Sequence, residues 1–539
     1  MNRWTESPLK LVEMDSVIPE KKNMDRKLHM AGNSYESYQI LIEDEDNFEI
    51  IKVELTGMSE FDFRYNFQES VSFKKETFQD PLSNNATATV KSGQIQSIWI
   101  TLYADENIVS GVYQGIVKVT TKKQAEQQDE HLFPLEIKVY PVVIPVTEKG
   151  AFVTEYWMNT VNFWFRYPNR EQLDFINYHY GCEKYSETWW KINKAIAKHM
   201  KENRINVLFV RTLDLLLDGG TILDKQGKYH FNWELFDKWI NFFKEHGAVK
   251  LFAGYHLVVQ TKGKNIYLIK NGENGPEIAI APIGSQEADS WMEQFLTALY
   301  EHLEEKGYKN SWLQHVEDEP GEPESWKYAR QWVRKCMPGI PTMDAIDKQN
   351  PIASLQEEMD IWIPRVDVYE ENRDFYDYRM SQGDSRWIYN CCEPHYQNYV
   401  NKFLGWPLIH NRALAWGCFV NHFSGFLHWG YNFWDPSDQL FGLNPDALIK
   451  GDGYIVYPDK ENDSIKNSVR MIATRDGAQD FELLKLLADK NPEKAFKLAR
   501  KVIHRFNDFN WEHENMEEQR IQILESIELD EVGSVIGKE

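Results

Sequence analysis

The first 145 residues alternate short apolar runs with turn residues, and no helical period persists among them. β-Branched and aromatic residues dominate the runs, which is typical of strands with one buried face. The predicted strands cover residues 39–43, 48–55, 95–103, 111–120 and 132–140. Short strands separated by turns are typical of two packed antiparallel sheets. The pattern therefore predicts a β-sandwich domain over residues 1–147.

From residue 148 the pattern changes to helices that alternate with short apolar strands. The predicted helices cover residues 188–203, 233–246, 289–306 and 324–335. The predicted strands cover residues 151–155, 205–210, 249–255, 311–316, 342–346, 361–365, 387–391 and 425–429. Eight strands that alternate with helices over roughly 290 residues match a (β/α)8 barrel of the TIM type. We predict this barrel over residues 148–460.

Two segments depart from the alternation of strand and helix. Residues 261–284 are typical of a hairpin inserted between a barrel strand and its helix. Residues 461–539 are predicted to form a C-terminal helical region packed on the barrel, with Ser464 as a helix N-cap. The predicted helices of this region cover residues 481–487, 495–506 and 516–527.

Composition and charge narrow the classes of function. The net charge of −23 repels phosphate backbones, so nucleic acid is not an expected partner. Apolar runs long enough for a membrane span, about 18 residues, are not found. Residues 1–22 lack the apolar core of a signal peptide, and the five cysteines lack CxxC spacing. A cytoplasmic protein with reduced thiols is therefore expected.

The strongest candidate for chemistry lies at the end of the predicted strand 311–316. There Glu317, Asp318 and Glu319 follow one another and are succeeded by Pro320. A residue before proline avoids helical backbone, so these carboxylates should lie where the strand gives way to a loop. That is the catalytic end of a barrel. Neighbouring carboxyl groups do not ionise independently, so one is expected to keep a proton for a leaving group.

Two mechanisms fit these carboxylates. In the first, Glu319 is the acid/base and Asp318 orients a substrate acetamido group, whose oxygen attacks the anomeric carbon to form an oxazolinium ion. In the second, Glu393, which follows about the seventh strand, is a nucleophile opposite Glu319 on about the fourth strand. A solvated acidic loop without catalytic function is the third interpretation.

Aromatic side chains near the predicted strand ends are candidates for contact with a sugar. The chain holds 19 Trp, 26 Tyr and 29 Phe, and their rings either stack on sugar faces or fill a large core. The candidates are Trp157, His256, Trp387, Tyr389, Trp429, Tyr431 and Trp434. Metal binding by His315, Glu317 and Asp318 is not favoured, because no second histidine pair has ligand spacing. Neither a metal nor another cofactor is therefore expected.

The order of these motifs resembles glycoside hydrolase family 123 and the wider group that shares its catalytic region (DUF4091). The matching residues are Asn33 to Gln39, Gly111 to Gly115, Asp318-Glu319-Pro320, Trp387-Ile388-Tyr389, Arg412, Gly425 to Asn432, Gly451-Asp452-Gly453, Tyr457-Pro458 and Arg475 to Glu482. Together they span most of the chain.

The resemblance implies a retaining β-N-acetylgalactosaminidase that uses the substrate-assisted route. It implies Glu319 as the acid/base and Asp318 as the stabiliser of the acetamido group. The expected partner is a glycan or glycoconjugate with terminal N-acetylgalactosamine (GalNAc). The expected substrate-binding residues are Trp429, Tyr389, Trp387, His256, Asn432, Trp434, Glu393 and Arg412. A two-carboxylate glycosidase and a non-catalytic glycan-binding protein remain the alternatives.

Overall fold

A computed structural model describes residues 1–73, 76–123, 128–159, 174–259, 264–321, 323–348, 355, 358–434 and 450–536. Side chains are described as far as residue 529. Among these residues, no helix is both long and apolar enough to cross a membrane.

The first part of the chain is a sandwich of two β-sheets, as predicted. Its strands are β1 (Asn2–Glu6), β2 (Arg26–Gly32), β3 (Ser34–Glu43), β4 (Phe48–Thr56), β5 (Asp62–Phe73), β6 (Glu76–Ser83), β7 (Ala88–Val90), β8 (Gln96–Ala104), β9 (Gly111–Lys122) and β10 (Gln128–Val143). One sheet contains β1-β3-β8-β5-β6, and the other has the order β2-β10-β9-β4-β7. Ile40, Ile98, Val119 and Phe133 lie in the buried core of the sandwich.

The middle of the chain alternates strands and helices. Its first half comprises β11 (Val153–Tyr156), α1 (Phe175–Tyr180), α2 (Glu187–Glu202), β12 (Val207–Val210), α3 (Thr212–Asp218), β13 (Ile222–Leu223), β14 (Tyr229–His230), α4 (Glu234–His246), β15 (Leu251–Gly254), β16 (Asn265–Gly272), β17 (Gly275–Pro282), α5 (Gln286–Glu305) and β18 (Trp312–His315). Its second half comprises α6 (Pro323–Cys336), β19 (Thr342–Ile346), β20 (Ile361–Pro364), α7 (Val366–Glu371), α8 (Arg373–Ser381), β21 (Ser385–Tyr389), α9 (Ile409–Val420) and β22 (Gly425–His428).

Eight parallel strands of this region close into a barrel in the order β11-β12-β15-β18-β19-β20-β21-β22. The register Val153↔Gly425 pairs the first strand with the last and completes the ring. Each predicted strand agrees with an observed one to within two residues at either end. These strands are easy to recognise because both of their faces are covered: every residue of Val207–Val210 is buried.

The helices around the barrel show the complementary pattern. Helix α4 buries Phe236, Trp239, Ile240 and Phe243. Their spacing of three and four residues forms a single apolar stripe that faces the strands. Helix α2 begins where Ser186 accepts a hydrogen bond from the backbone N–H of Trp189, an N-cap that fixes the start of the helix.

The predicted insertion is a hairpin that follows the third barrel strand. Strands β16 and β17 pair antiparallel from Asn265↔Pro282 to Gly272↔Gly275. Residues 260–263, where the predicted segment begins, lie outside the described residues. The hairpin leaves the barrel at the end where the strands terminate, so it can reach residues above the barrel.

The end of the chain comprises β23 (Tyr457–Asp459), β24 (Ser464–Ser468), α10 (Val469–Lys490), α11 (Pro492–Arg500), β25 (Ile503–Arg505), β26 (Asp508–Phe509) and α12 (His513–Ile536). The helical character of this region agrees with the prediction in outline. Two details differ, and both concern short strands that the sequence pattern did not separate from helix.

Ser464 is not a helix N-cap, as the sequence predicted, but the first residue of β24. Ser468 caps α10 instead, by accepting a hydrogen bond from the backbone N–H of Met471. Strand β24 pairs with β6 through Asn467↔Leu82, so β24 and β23 extend the first sheet of the sandwich. Five residues are too few for a period to distinguish strand from helix, and the partner strand lies far away in sequence.

The helix predicted over residues 495–506 is also shorter than expected. It ends at Arg500, and a small hairpin of β25 and β26 follows. Asn507 and Asp508 at the turn explain the break, because their side chains favour turns over helix. The predicted domain borders, 147/148 and 460/461, remain a prediction.

Candidate active site

Asp318 and Glu319 lie just beyond the carboxyl end of the fourth barrel strand. Strand β18 ends at His315, and an irregular segment from Val316 leads to Pro320. The carboxylates therefore stand where the strand gives way to a loop, as the proline predicted. Asp318 is buried, with 8 % of its surface exposed, and Glu319 is half-buried.

A carboxylate from the neighbouring strand fixes the backbone of this loop. Asp344, on β19, accepts hydrogen bonds from the N–H groups of Val316 and Glu317, each at 3.0 Å. The indole N–H of Trp326 donates to the same carboxylate at 2.6 Å. Asp344 is fully buried, so these bonds are made in a medium of low dielectric constant, where they are strong. They hold the two residues that immediately precede Asp318.

His315 links Asp344 to Glu155 on the first barrel strand. Its Nδ1 lies 3.2 Å from Asp344 Oδ1, and its Nε2 lies 3.1 Å from Glu155 Oε1. Burial alone would lower the pKa of His315, but the charge of Glu155 and the bonds to both carboxylates outweigh it and raise the pKa to about 10. His315 is therefore an imidazolium ion between two buried carboxylates, which would otherwise repel each other.

Glu319 is held by Tyr389 from the seventh strand. The Tyr389 hydroxyl donates a hydrogen bond of 2.9 Å to Glu319 Oε1. Burial and the charge of Glu319 raise the pKa of Tyr389 well above its usual range, so the hydroxyl keeps the proton that it donates. The backbone of Glu319 is left-handed, with φ of 46°. This conformation is costly for a residue other than glycine and is concentrated at functional sites.

Two tyrosines accompany Asp318, one of them from the inserted hairpin. Burial raises the pKa of Tyr255 and of Tyr267 above the usual range, and the charge of Asp318 adds to both shifts. Tyr255 follows the third barrel strand, whereas Tyr267 lies in β16. The insertion therefore takes part in forming the surroundings of Asp318.

Trp429 and Asp452 form a further part of the site. The half-buried Trp429 donates its indole N–H to Asp452 Oδ2 at 3.1 Å, while Oδ1 has no hydrogen-bond partner among the residues that the structure describes. Burial raises the pKa of Asp452 well above its usual range, and the nearby Cys392 and Glu319 add to the shift. Asp452 therefore holds its proton more strongly than an exposed carboxyl group does, and the charge of Glu319 contributes to this. Sequence analysis gave it no role, although its position between two glycines was a signal.

Glu393 follows the seventh strand, β21, as the sequence predicted. Its side chain is 39 % exposed, and it accepts a hydrogen bond of 2.8 Å from His395. The charges of Glu319 and Glu393 both act on the thiol of Cys392, so the two carboxylates lie at the same end of the barrel.

Six of the eight predicted substrate-binding residues are buried, and four of these six have side chains that pack against neighbouring parts of the fold. The ring of Trp387 lies against Gly425, and His256 packs edge-on against Trp157 at 5.0 Å. Asn432 accepts from the backbone N–H of Asn159 at 2.7 Å. The indole N–H of Trp434 donates to a backbone carbonyl oxygen at 2.9 Å, and the ring is fully buried. Their contact with a substrate remains a prediction.

Arg412, for which the sequence predicts a substrate contact, pairs with a carboxylate of another helix, and the substrate contact remains a prediction. It belongs to α9, and its guanidinium binds both carboxylate oxygens of Asp480, at 2.7 and 3.0 Å. Both side chains are buried. This bidentate ion pair joins α9 to α10, so Arg412 links the two helices.

His256, His315 and Asp344 bring possible metal-ligand atoms within 4.8 Å of one another. Both ring nitrogens of His315 already face carboxylate oxygens, at 3.2 and 3.1 Å. Asp344 already accepts the hydrogen bonds described above. The residues therefore fit a hydrogen-bonded ion cluster better than a metal site.

Comparison with known proteins identifies the family. The description "Glycoside hydrolase 123, catalytic domain" matches residues 170–487. A family 123 glycoside hydrolase from Clostridium perfringens, solved in a study of glycolipid glycan hydrolysis, has a TM-score of 0.75 at 16 % identity, covering 98 % of this chain and 97 % of that one. A putative glycoside hydrolase from Bacteroides vulgatus has a TM-score of 0.32 at 10 % identity, covering 84 % and 78 %. A search of curated proteins finds no match. Because the family's catalytic region spans more than half of its length, the chain belongs to glycoside hydrolase family 123.

Proposed function

We propose that the protein is a retaining exo-glycosidase that releases terminal β-linked GalNAc by substrate-assisted catalysis. The observation that carries the proposal is the pair of adjacent carboxylates at the end of the fourth barrel strand, of which Asp318 is buried and Glu319 half-buried. A buried carboxylate is suited to binding a group of the substrate. A partly exposed carboxylate is suited to giving a proton to the leaving group and then taking one from water.

In the proposed mechanism Glu319 protonates the glycosidic oxygen as the bond breaks. The acetamido oxygen of the sugar attacks the anomeric carbon, and Asp318 stabilises the N–H of the resulting oxazolinium ion. Glu319 then takes a proton from the water that opens this ring. Two displacements at the anomeric carbon retain its configuration. The Tyr389 hydroxyl holds Glu319 in place between the two steps.

For recognition of the sugar, we propose Trp429 and Asp452. The partly exposed indole offers a flat face to the C–H side of a sugar ring. Oδ1 of Asp452, which has no hydrogen-bond partner among the described residues, can form a hydrogen bond with a hydroxyl group of the sugar. The Clostridium enzyme was studied on glycolipid glycans, and we propose the same broad class of glycoconjugate for this chain.

The test of the proposal is hydrolysis of matched p-nitrophenyl glycosides of β-GalNAc and β-GlcNAc. We expect faster release from β-GalNAc, with the β-anomer as the first product by NMR. Faster release from β-GlcNAc would change the assigned sugar, and the α-anomer as first product would exclude retention. Binding of GalNAc without release from either glycoside would favour the glycan-binding alternative.

A Glu393→Gln variant distinguishes the two catalytic mechanisms. If the acetamido group is the nucleophile, we expect turnover within about fivefold of wild type, because the partly exposed Glu393–His395 pair contributes only about 0–1 kcal/mol. If Glu393 were the nucleophile, turnover would fall by at least about 10³-fold. The measurement is kcat on the aryl β-GalNAc glycoside.

A Tyr389→Phe variant tests how Glu319 is held. Removing the hydroxyl takes a hydrogen bond from the ionised form of Glu319, so the protonated acid should persist to higher pH. We expect the alkaline limb of the kcat/KM profile to move upward by roughly half to one pH unit. Tyr376→Phe is the control, because the buried Tyr376 hydroxyl has no hydrogen-bond partner in the described part of the chain. An unmoved limb in Tyr389→Phe would show that this bond does not tune Glu319.

A further inference from the structure

The loop that follows the seventh barrel strand stands next to the proposed proton donor. Strand β21 ends at Tyr389, whose hydroxyl donates to the side chain of Glu319. The backbone that leads to Glu319 is bound from the third strand, because the N–H groups of Leu257 and Val258 donate to the Val316 carbonyl oxygen at 3.0 and 2.9 Å. The third and seventh strands stand opposite each other in the ring of eight. Glu319 therefore reaches across the mouth of the barrel, and a sugar that leaves from it meets the loop after β21.

This loop, residues 390–401, is fixed to the rest of the site. The ring of His428 lies between the carbonyl oxygens of Asn390 and Asp452, at 2.9 Å from each. The side-chain amide of Asn401 closes the loop by donating to two of its backbone carbonyl oxygens, at 2.9 and 3.0 Å. The backbone contacts on both sides determine where the side chains in the middle of the loop stand.

An exposed aromatic ring occupies the middle of the loop. Tyr396 is 61 % exposed, and its carbonyl oxygen accepts a hydrogen bond of 3.0 Å from the N–H of Tyr399, which closes a turn. The ring of His395 covers one face of the tyrosine, with the ring centres 4.5 Å apart and the planes inclined by 30°. His395 is itself held by Glu393, which lies 2.8 Å from its ring nitrogen. The loop therefore presents the opposite face of Tyr396 to solvent.

We propose that the exposed face of Tyr396 binds the leaving sugar, an uncharged hexose, and that the substrates are therefore oligosaccharides. The proposal rests on the proposed function, which places the glycosidic oxygen at Glu319. One side of a hexose consists of C–H groups, and an aromatic ring stacks on such a surface while the hydroxyl groups keep their hydrogen bonds. An acidic sugar is disfavoured, because Glu319 and Glu393 follow parallel strands at the same end of the barrel and would repel its charge.

The test compares two substrates that differ only in the leaving group. In the disaccharide of GalNAc β-linked to galactose the leaving group is a hexose, whereas in methyl β-GalNAc it has no ring. Tyr396→Ala should reduce the preference for the disaccharide, measured as the ratio of the two kcat/KM values, by about three- to tenfold, the usual contribution of a stacked ring. Tyr396→Phe keeps the ring and should keep the preference. Tyr378→Ala, at a 55 % exposed tyrosine in α8, is the matched control.

An unchanged preference in Tyr396→Ala, or an equal loss in Tyr396→Phe, would overturn the proposal. The aryl glycosides test the proposed function separately, and if wild type favours β-GlcNAc, the same comparison is made with the β-GlcNAc disaccharide and methyl glycoside.

If wild type cleaves no glycoside, the proposed function fails, and binding decides on Tyr396. Titration calorimetry would then compare Glu319→Gln with the double variant Glu319→Gln/Tyr396→Ala, using the GalNAc disaccharide. We expect the double variant to bind about three- to tenfold more weakly. Equal affinities, or no binding to either variant, would overturn the proposal.

Discussion

Replacing Glu319 with glutamine should lower turnover of a β-GalNAc disaccharide by about 10²- to 10⁴-fold, the usual contribution of a general acid. An amide has no proton of suitable acidity for the leaving sugar. The loss should be smaller for a p-nitrophenyl glycoside, because nitrophenolate leaves with little protonation. The measurement is the loss of kcat caused by Glu319→Gln on the disaccharide, divided by the loss that it causes on the p-nitrophenyl glycoside.

Glu324→Gln is a matched control for this substitution. Glu324 lies in the first turn of α6, and its 75 % exposed carboxylate pairs with Lys264. An exposed pair contributes only about 0–1 kcal/mol, so activity should change little. Equal losses for Glu319→Gln on both leaving groups would mean that Glu319 does not deliver the proton, and unchanged activity would remove it from the mechanism.

Replacing Asp318 with asparagine is expected to lower kcat/KM by about 10²-fold or more, because the charge that stabilises the oxazolinium N–H is lost. The same change should weaken inhibition by a thiazoline that mimics this ion. The two losses should run in parallel, since both report the interaction that Asp318 makes only with the reacting acetamido group.

Asp62→Asn, at an exposed carboxylate paired with Arg64 in the sandwich, controls for the substitution itself. Its kinetics and thiazoline affinity should match wild type. If Asp318→Asn slowed turnover but left the thiazoline affinity unchanged, Asp318 would not stabilise the oxazolinium ion. That result would favour the mechanism with a protein nucleophile.

Local pattern was enough to predict the strands of the barrel. Segments such as Val207–Val210 and Ile361–Pro364 are buried on both faces and therefore appear as short apolar runs between amphipathic helices. The position of Asp318 and Glu319 followed from the same pattern and from Pro320. In these cases the residues that determine a strand or a loop lie within a few positions of it along the chain.

The groups that hold the carboxylates could not be predicted in this way. Tyr267 lies in an insertion, and nothing in its neighbourhood along the chain indicates that it approaches Asp318. Asp344 carried a weak signal, because it is an acidic residue in a barrel strand, Thr342–Ile346, whose residues are all buried. A buried charge needs partners, but the sequence does not say which ones.

The aromatic candidates show a second limit of sequence analysis. Trp429 and Trp434 stand five residues apart after the same strand, yet Trp429 is partly exposed and Trp434 is fully buried. A large aromatic ring suits a core and a sugar platform equally well. Only the course of the loop after the strand decides which residue reaches the surface.

The pairing of β24 with β6 means that the sandwich shares a sheet with two strands, β23 and β24, from the part of the chain that follows the barrel. Asp80, in β6, accepts hydrogen bonds from the buried Arg470 of α10 and from Tyr457 of β23. Cutting the chain near residue 147 would expose an unpaired strand edge and leave the Arg470 charge without its counter-ion, changes that promote aggregation and loss of stability. We therefore expect the first 147 residues to unfold together with the C-terminal region that β24 and Arg470 belong to, and not as an independent unit.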